Sequence, residues 1–390
     1  IVDYCERAQT PFRTLPKVQD ILDGSASSAD LRSVELDDLL GRDPVSLDWE
    51  AMGQMIKNRR VLITGGAGSI GSELCRQVAR LDPEEVTLFE QNEFSLYSLA
   101  MELEEQFPGI RFNRLLGDVC DPEAVRFVFS QYRPQVVFHA AAYKHVPMLQ
   151  AQLRETIRNN TVGTMVAARA AVESGVEKFI LISTDKAVNP TSMMGVSKRI
   201  AEMVAQFNDA KSTTAFITVR FGNVLGSAGS VVPLFERQIR GGGPVTVTDP
   251  MMTRYFMTIS EACQLILQAC AIGRGGEIFV LNMGEPVKID YLARQMIRLS
   301  GKVPDEEIKI RYTGLRPGEK LTEELFHPDE DLAPTSYEKI LLAQSRSLDE
   351  THFESELHML RESVERYDHE RARQIAIGLV PEYREGEESS

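Results

Sequence analysis

Four consecutive residues, Ser183-Thr184-Asp185-Lys186, place hydroxyls, a carboxyl and an amine side by side where the apolar run KFILIS (178–183) ends. A carboxyl can give or take a proton, and an amine held partly neutral can act as a base, so this group could carry acid–base chemistry. On an ordinary loop the same Asp and Lys would be surface charges. A second dense segment, HAAAYKH (139–145), also closes an apolar run. Its Ala140, Ala141 and Ala142 suit close passage beside a flat ligand, while Lys144 and His145 could reach a substrate. A structural role for His145 is the alternative.

A third segment supplies anion-binding backbone. The strand-like VLIT (61–64) runs into Gly65-Gly66-Ala67-Gly68-Ser69-Ile70-Gly71, followed by the helical SELCRQVAR. Glycines at 65, 68 and 71 permit a tight turn, let backbone approach a pyrophosphate, and seat a helix whose first amides face negative charge. That pattern in strand-turn-helix context predicts a dinucleotide cofactor. Glu90 falls 19 residues after Gly71, at the end of the next strand-like run, where a carboxylate can accept both ribose hydroxyls. A helix-capping acid is the other reading. No arginine follows it in QNEFS, and a carboxylate would repel a 2′-phosphate, which favours NAD over NADP. Asp118 and Val119, after the third run, could meet the adenine; a plain turn aspartate fits equally well.

The elements that must position these groups are short β-branched runs alternating with amphipathic helical stretches. The runs are VLIT, EVTLF (85–89), IRFNRLL (110–116), QVVFHA (135–140), KFILIS and AFITVRF (215–221). Such alternation predicts an α/β fold with a doubly wound parallel sheet, and its reactive groups belong beyond the carboxyl ends of the strands. Residues 1–58 read as a leader or linker and 59–222 as the dinucleotide-binding domain. Residues 223–345 read mainly as a smaller C-terminal α/β substrate lobe, with some segments free to return to the sheet. Residues 346–390 read as helices and a disordered tail.

Composition narrows the function class. A formal net charge of −14 opposes a nucleic-acid-binding surface. Five scattered cysteines without Cys-x-x-Cys spacing argue against a disulfide framework or a zinc site, and for a reducing, cytoplasmic setting. No metal is expected. No apolar run approaches the ~18–20 residues that cross a bilayer, so no membrane contact is expected of this chain.

In chain order, TGGAGSIG, HAAAYKHVP, STDKAVNPT, RFGNVLGSAGSV, TRYFMT and GLRPGEKL resemble the bacterial UDP-N-acetylglucosamine 4,6-dehydratases, which are extended short-chain dehydrogenases/reductases. The resemblance covers roughly residues 59–345. It implies a 4-keto-6-deoxy sugar nucleotide as product, made by hydride transfer from C4 to C6 through bound NAD. It also implies Lys186 as the base at C5, Asp185 as the acid at O6 and an acceptor at O4, and Thr184 as a hydrogen-bonding positioner. Lys198 would hold the nicotinamide ribose, although a surface lysine is its plain alternative. Asn223, Arg254, Arg316 and Glu319 would hold the UDP group, although each arginine could instead be a surface ion-pair partner.

One departure stands out. The tyrosine of the wider superfamily's Tyr-x-x-x-Lys motif should lie four residues before Lys198, where this chain has Met194. A thioether cannot take a proton from a sugar hydroxyl, so another group must do so. The segment LPKVQDILDG…VELDDLLGRDPVSLDWEAM resembles the stretch preceding the catalytic domain in large, membrane-associated relatives that serve surface-glycan synthesis. The resemblance therefore implies a piece of a longer protein anchored on the cytoplasmic face of the inner membrane, and a homo-oligomer. A UDP-sugar 4-epimerase or reductase, or a noncatalytic NAD-binding protein, is the alternative.

Overall fold

The computed structural model describes residues 47–344 and 347–385, together with the antiparallel pairing of Arg13–Thr14 with Arg32–Ser33. Seven runs form parallel strands: β1 (Arg60–Thr64), β2 (Glu85–Glu90), β3 (Arg111–Leu116), β4 (Val136–His139), β5 (Lys178–Ile182), β6 (Ala215–Arg220) and β7 (Ile278–Leu281). Two further strands, β8 (Leu332–Pro334) and β9 (Ile340–Ala343), close one edge antiparallel. The order is β3-β2-β1-β4-β5-β6-β7-β9-β8. Winding reverses between β1 and β4, where Thr64 pairs with His139, and the crevice beyond that point is the expected ligand position.

These strands are apolar on successive residues because helices cover both faces. One face packs under α1 (Trp49–Ile56), α2 (Ser69–Ala79), α3 (Glu93–Gln106) and α8 (Ile259–Ile272), through residues such as Ile56, Val78, Leu103 and Leu265. The other packs under α4 (Pro122–Tyr132), α5 (Gly163–Glu173), α6 (Met193–Lys211), α10 (Glu350–Glu365) and α11 (His369–Leu379). A separate small core joins α7 (Val231–Arg240) and α9 (Ile289–Leu299) to Val245, Val247 and Phe256.

Two placements differ from the simplest reading of the chain. Residues 278–281, grouped with the second lobe, extend the main sheet beside β6, and α8 packs on the same face as α2. Their IFVL run is buried along its whole length, as a central strand requires, and nothing local says which sheet it joins. The end of the leader is likewise part of the core, since Met52 and Ile56 of α1 are fully buried. The C-terminal stretch contains α10 and α11, while residues 386–390 of the tail lie outside those described.

A buried charge network pins the frame beneath the site. Arg220, 1% exposed at the end of β6, makes paired hydrogen bonds to both Glu202 of α6 and Glu330. Glu202 also accepts from Ser183 Oγ at 2.6 Å, which fixes the start of the loop leaving β5. Burial pushes the Glu202 carboxyl up, but Arg220, Arg199 and Ser183 outweigh it and hold the group down to about 2.

Candidate active site

The glycine turn is shaped by close contacts. Gly65 has φ +64, and a Cβ at Gly71 would sit 2.1 Å from the Gly65 carbonyl oxygen. Only side-chain-free residues allow α2 to start this close to β1. The turn borders a cavity of about 480 Å³, whose lining includes Gly68, Ser69, Glu90, Val119, Ala140, Ala141 and Ala142. Glu90 accepts from the amide of Ala67 at 3.2 Å and from those of Gln91 and Asn92, so its carboxylate is held against the glycine turn. Asp118 is turned onto the Cys120 amide and Arg158; burial raises its carboxyl, but those partners outweigh burial and hold it below the ordinary range. Val119 rather than Asp118 faces the cavity, and Ile70 and Gly71 stand behind the turn.

The loop after β5 gathers the acid–base groups. Asp185 is completely buried, and its Oδ1 accepts from Lys186 Nζ at 2.9 Å and from Thr184 Oγ1 at 2.9 Å. Lys186 Nζ also donates to Asn223 Oδ1 at 3.1 Å, and lies 3.4 Å from Glu323 Oε1. Arg254 Nε approaches the same Glu323 oxygen at 3.7 Å. Asp185, Lys186, Asn223 and Arg254 are thus brought together, with Arg254 turned inward onto Glu323 and onto the carbonyls of Thr253 and Leu321. Burial lowers the Lys186 amine, but the Asp185 and Glu323 carboxylates outweigh it and raise it above the ordinary lysine value. Burial, with Glu323 beside it, raises the Asp185 carboxyl, while Lys186 opposes. Among the described residues, Asp185 Oδ2 and Glu323 Oε2 are buried without a hydrogen-bond partner.

Helix α6 supplies the floor. Ser192 caps it by accepting from the Gly195 amide, and a Cβ on Gly195 would lie 2.2 Å from the Lys186 carbonyl oxygen, so the helix abuts the loop. Met194, at the tyrosine position, is 2% exposed and packs with Val146, Leu149 and Tyr143. Lys198 is buried, donating to the Ile182 carbonyl at 2.6 Å, and burial pushes its amine down to about 8. His139 is held between Thr64 and Thr164; burial and Lys198 push it down to about 3, so it is neutral.

The remaining candidates lie around the rim. Lys144 Nζ donates to Ser227 Oγ at 3.2 Å, with burial lowering its amine. His145 is exposed, its ring against Gly229, and burial and Lys144 lower it. Arg316 and Glu319 pair with each other at 2.6 Å, on the loop whose Gly318 packs on Ser192. Three contributors escaped sequence reasoning. Glu323 lies just beyond GLRPGEKL, where the chain shows only one acid among several. Asn159 and Ala228 line the cavity. The available signal for Asn159 was the polar Asn159-Asn160-Thr161 run in an otherwise apolar helical stretch.

The family model described as polysaccharide biosynthesis protein matches residues 61–345. The chain belongs to that family. Within it, this chain is similar to the capsular polysaccharide biosynthesis protein CapD of Staphylococcus aureus, 52% identical over 84% of this chain and 55% of CapD, so it spans about half of that relative's length. It is also similar to a UDP-glucose 4-epimerase of Rickettsia bellii, 35% identical over 71% of this chain and 80% of the relative. Among solved structures it resembles Pen from Bacillus thuringiensis, with a TM-score of 0.69 and 34% identity over 75% of this chain and 89% of Pen. The family member described here is therefore an extended short-chain dehydrogenase/reductase in fold. No helix among its described residues is long and apolar enough to cross a membrane.

Proposed function

We propose that the chain is a UDP-N-acetylglucosamine 4,6-dehydratase that works with bound NAD and yields a 4-keto-6-deoxy sugar nucleotide. The observation that carries this reading is the Lys186–Asp185 pair, 2.9 Å apart at the carboxyl end of β5, in a chain that has Met194 where a tyrosine would stand. An epimerase needs a proton acceptor at O4; a dehydratase also needs a base at C5 and an acid at O6.

The cavity fits a dinucleotide, because Gly65, Gly68 and Ser69 line it together with Glu90, and a turn of this shape excludes Cβ atoms at Gly65 and Gly71, which would meet the Ala141 backbone and the Gly65 carbonyl oxygen. Gly65, Gly68 and Ser69 would hold the pyrophosphate, Glu90 the adenosine ribose, Val119 the adenine, and Ala140, Ala141 and Ala142 the floor, with Lys198 toward the nicotinamide ribose. Bound NAD would supply the hydride acceptor for C4 and the hydride for C6. Glu90 disfavours a 2′-phosphate at the ribose.

In this reading Asp185 takes the O4 proton and later delivers it to the departing C6 oxygen, which suits a buried carboxyl whose proton affinity is raised. Lys186 removes the C5 proton, Thr184 orients Asp185 through their 2.9 Å hydrogen bond, and Asn223 orients Lys186. Arg316 and Glu319 would meet the UDP group from the loop over α6, and Lys144 and His145 would approach it from the loop after β4.

The test is incubation with UDP-N-acetylglucosamine, without and with added NAD, followed by mass spectrometry. Loss of one water from the sugar nucleotide, abolished by Lys186→Met, is the expected result. An unchanged mass with inverted C4 would replace the proposal with an epimerase, and no change in substrate would reject it.

A further inference from the structure

Two buried carboxylates flank one ammonium here, and Arg254 approaches the second of them. Lys186 Nζ lies 2.9 Å from Asp185 Oδ1 and 3.4 Å from Glu323 Oε1, and Glu323 is 4% exposed. Asp185 belongs to the loop after β5, Asn223 to the segment after β6, Arg254 to the strand-like pair Thr253–Arg254, and Lys320 shares the Glu323 segment. Tyr255 lies near Asp185 across Gly222. Held between two anions, Lys186 stays protonated, and a protonated amine cannot remove the C5 hydrogen.

We propose that Glu323 is the proton holder of Lys186, taking the ammonium proton when Lys186 must act as a base and returning it afterwards. This rests on the dehydratase reading. The transfer breaks an N–H bond at Lys186 Nζ and forms an O–H bond at Glu323, with no change in oxidation state. Asp185, having accepted the O4 proton, is neutral by then, so Lys186 faces one anion fewer. The C5–H bond then breaks toward the free amine, its electron pair expels the C6 oxygen, and the Asp185 proton leaves with that oxygen as water. Once C6 carries the hydride that bound NAD would return, C5 takes its proton from Lys186, and Glu323 recharges the amine. Every proton is returned, and Asp185 and Glu323 end as carboxylates.

The geometry places the exchange over 3.4 Å between Lys186 Nζ and Glu323 Oε1. At rest burial raises the Glu323 carboxyl, but Lys186, Arg254 and Lys320 outweigh it and hold it down, so Glu323 keeps the proton only while Lys186 acts as a base. The receiving atom is Oε1, which faces the amine, while Oε2 is buried and hydrogen-bonded to no described group. Arg254, 3.7 Å from Oε1, fixes which oxygen faces the amine. Glu323 is a positioning residue in this scheme, acting only through Lys186.

The experiment compares wild type, Glu323→Gln and Glu323→Asp by two readouts. The first is the pH dependence of Lys186 acylation by acetic anhydride, read by peptide mass spectrometry without substrate. Glu323→Gln should move its midpoint down by about one pH unit or more, because an anion has been removed. The second is the pH profile of water loss from UDP-N-acetylglucosamine. Wild type should be flat between roughly pH 7 and 9, with its proton stored inside the site. Glu323→Gln should lose roughly tenfold to a hundredfold at pH 7 and recover with rising pH, because its amine must lose the proton to water. Glu323→Asp, still a carboxylate, should keep a flat profile at a reduced rate, which also guards against a Gln variant that fails to fold. An unmoved acylation midpoint, or a Glu323→Gln profile that is a scaled copy of wild type, overturns the proposal. A wild-type chain that dehydrates no UDP-sugar fails the dehydratase reading, and the acylation shift then decides by itself whether Glu323 governs the Lys186 proton.

Discussion

Lys186 donates to Asn223 Oδ1 at 3.1 Å, so the loop after β5 is tied through its amine to the segment after β6. The resemblance assigned Asn223 to the UDP group, whereas the structure turns its amide oxygen onto the proposed base.

Replacing Asn223 with Ala separates the two roles. A hydrogen bond to a charged group contributes about 1.5–3 kcal/mol, so kcat should fall roughly tenfold to a hundredfold with NAD content unchanged. Steady-state kinetics decide: a rise in KM at constant kcat would mean that Asn223 holds substrate and not Lys186.

Gly71→Ala tests the cofactor turn. Its Cβ would meet the Gly65 carbonyl oxygen at 2.1 Å, forcing α2 away from β1. The expected result is a loss of about 1–3 kcal/mol in unfolding free energy and a drop of at least roughly tenfold in NAD affinity by calorimetry. Unaltered NAD affinity would show that the turn does not cradle the pyrophosphate.

Lys198 makes stability depend on alkaline pH. Burial lowers its amine from the ordinary 10.5 to about 8 in the folded chain. Between these values the unfolded chain binds more protons, so this residue's contribution improves as pH rises through that window, by on the order of 3 kcal/mol. Urea unfolding of wild type and Lys198→Met at pH 7 and pH 10 should show the increase in wild type alone. The same pH response in both proteins would remove Lys198 as its source.

The Glu202–Arg220–Glu330 network works in the acid range. The Glu202 carboxyl is held down to about 2, so its stabilisation is complete above the ordinary glutamate value and is lost as pH falls toward 2. Arg220→Met removes the guanidinium shared by Glu202 and Glu330, leaving Glu202 paired with Arg199, and should cost about 3–5 kcal/mol at pH 7. The deficit should narrow on acidification, as Glu202 takes up a proton. A deficit independent of pH would point to lost packing instead.

The six strands before residue 222 were readable within a residue or two, because each is a short apolar run ended by turn residues. The glycine turn and the Asp185-Lys186 pair were readable for a related reason: local spacing places them at strand ends. Met194 was readable as a missing tyrosine, but its packing among Val146, Leu149 and Tyr143 was not.

Amino-acid order by itself determined the winding of the parallel sheet, the glycine turn and the placing of Asp185 and Lys186 at a strand end, because backbone geometry and residue type act over a few positions. Tertiary structure alone decided that β7 joins β6, that Arg254 turns inward, and that Glu323, 137 residues beyond Lys186 in the chain, completes the charge around it. A buried polar group is defined by which partners other segments bring to it, and no local pattern in the chain carries that information.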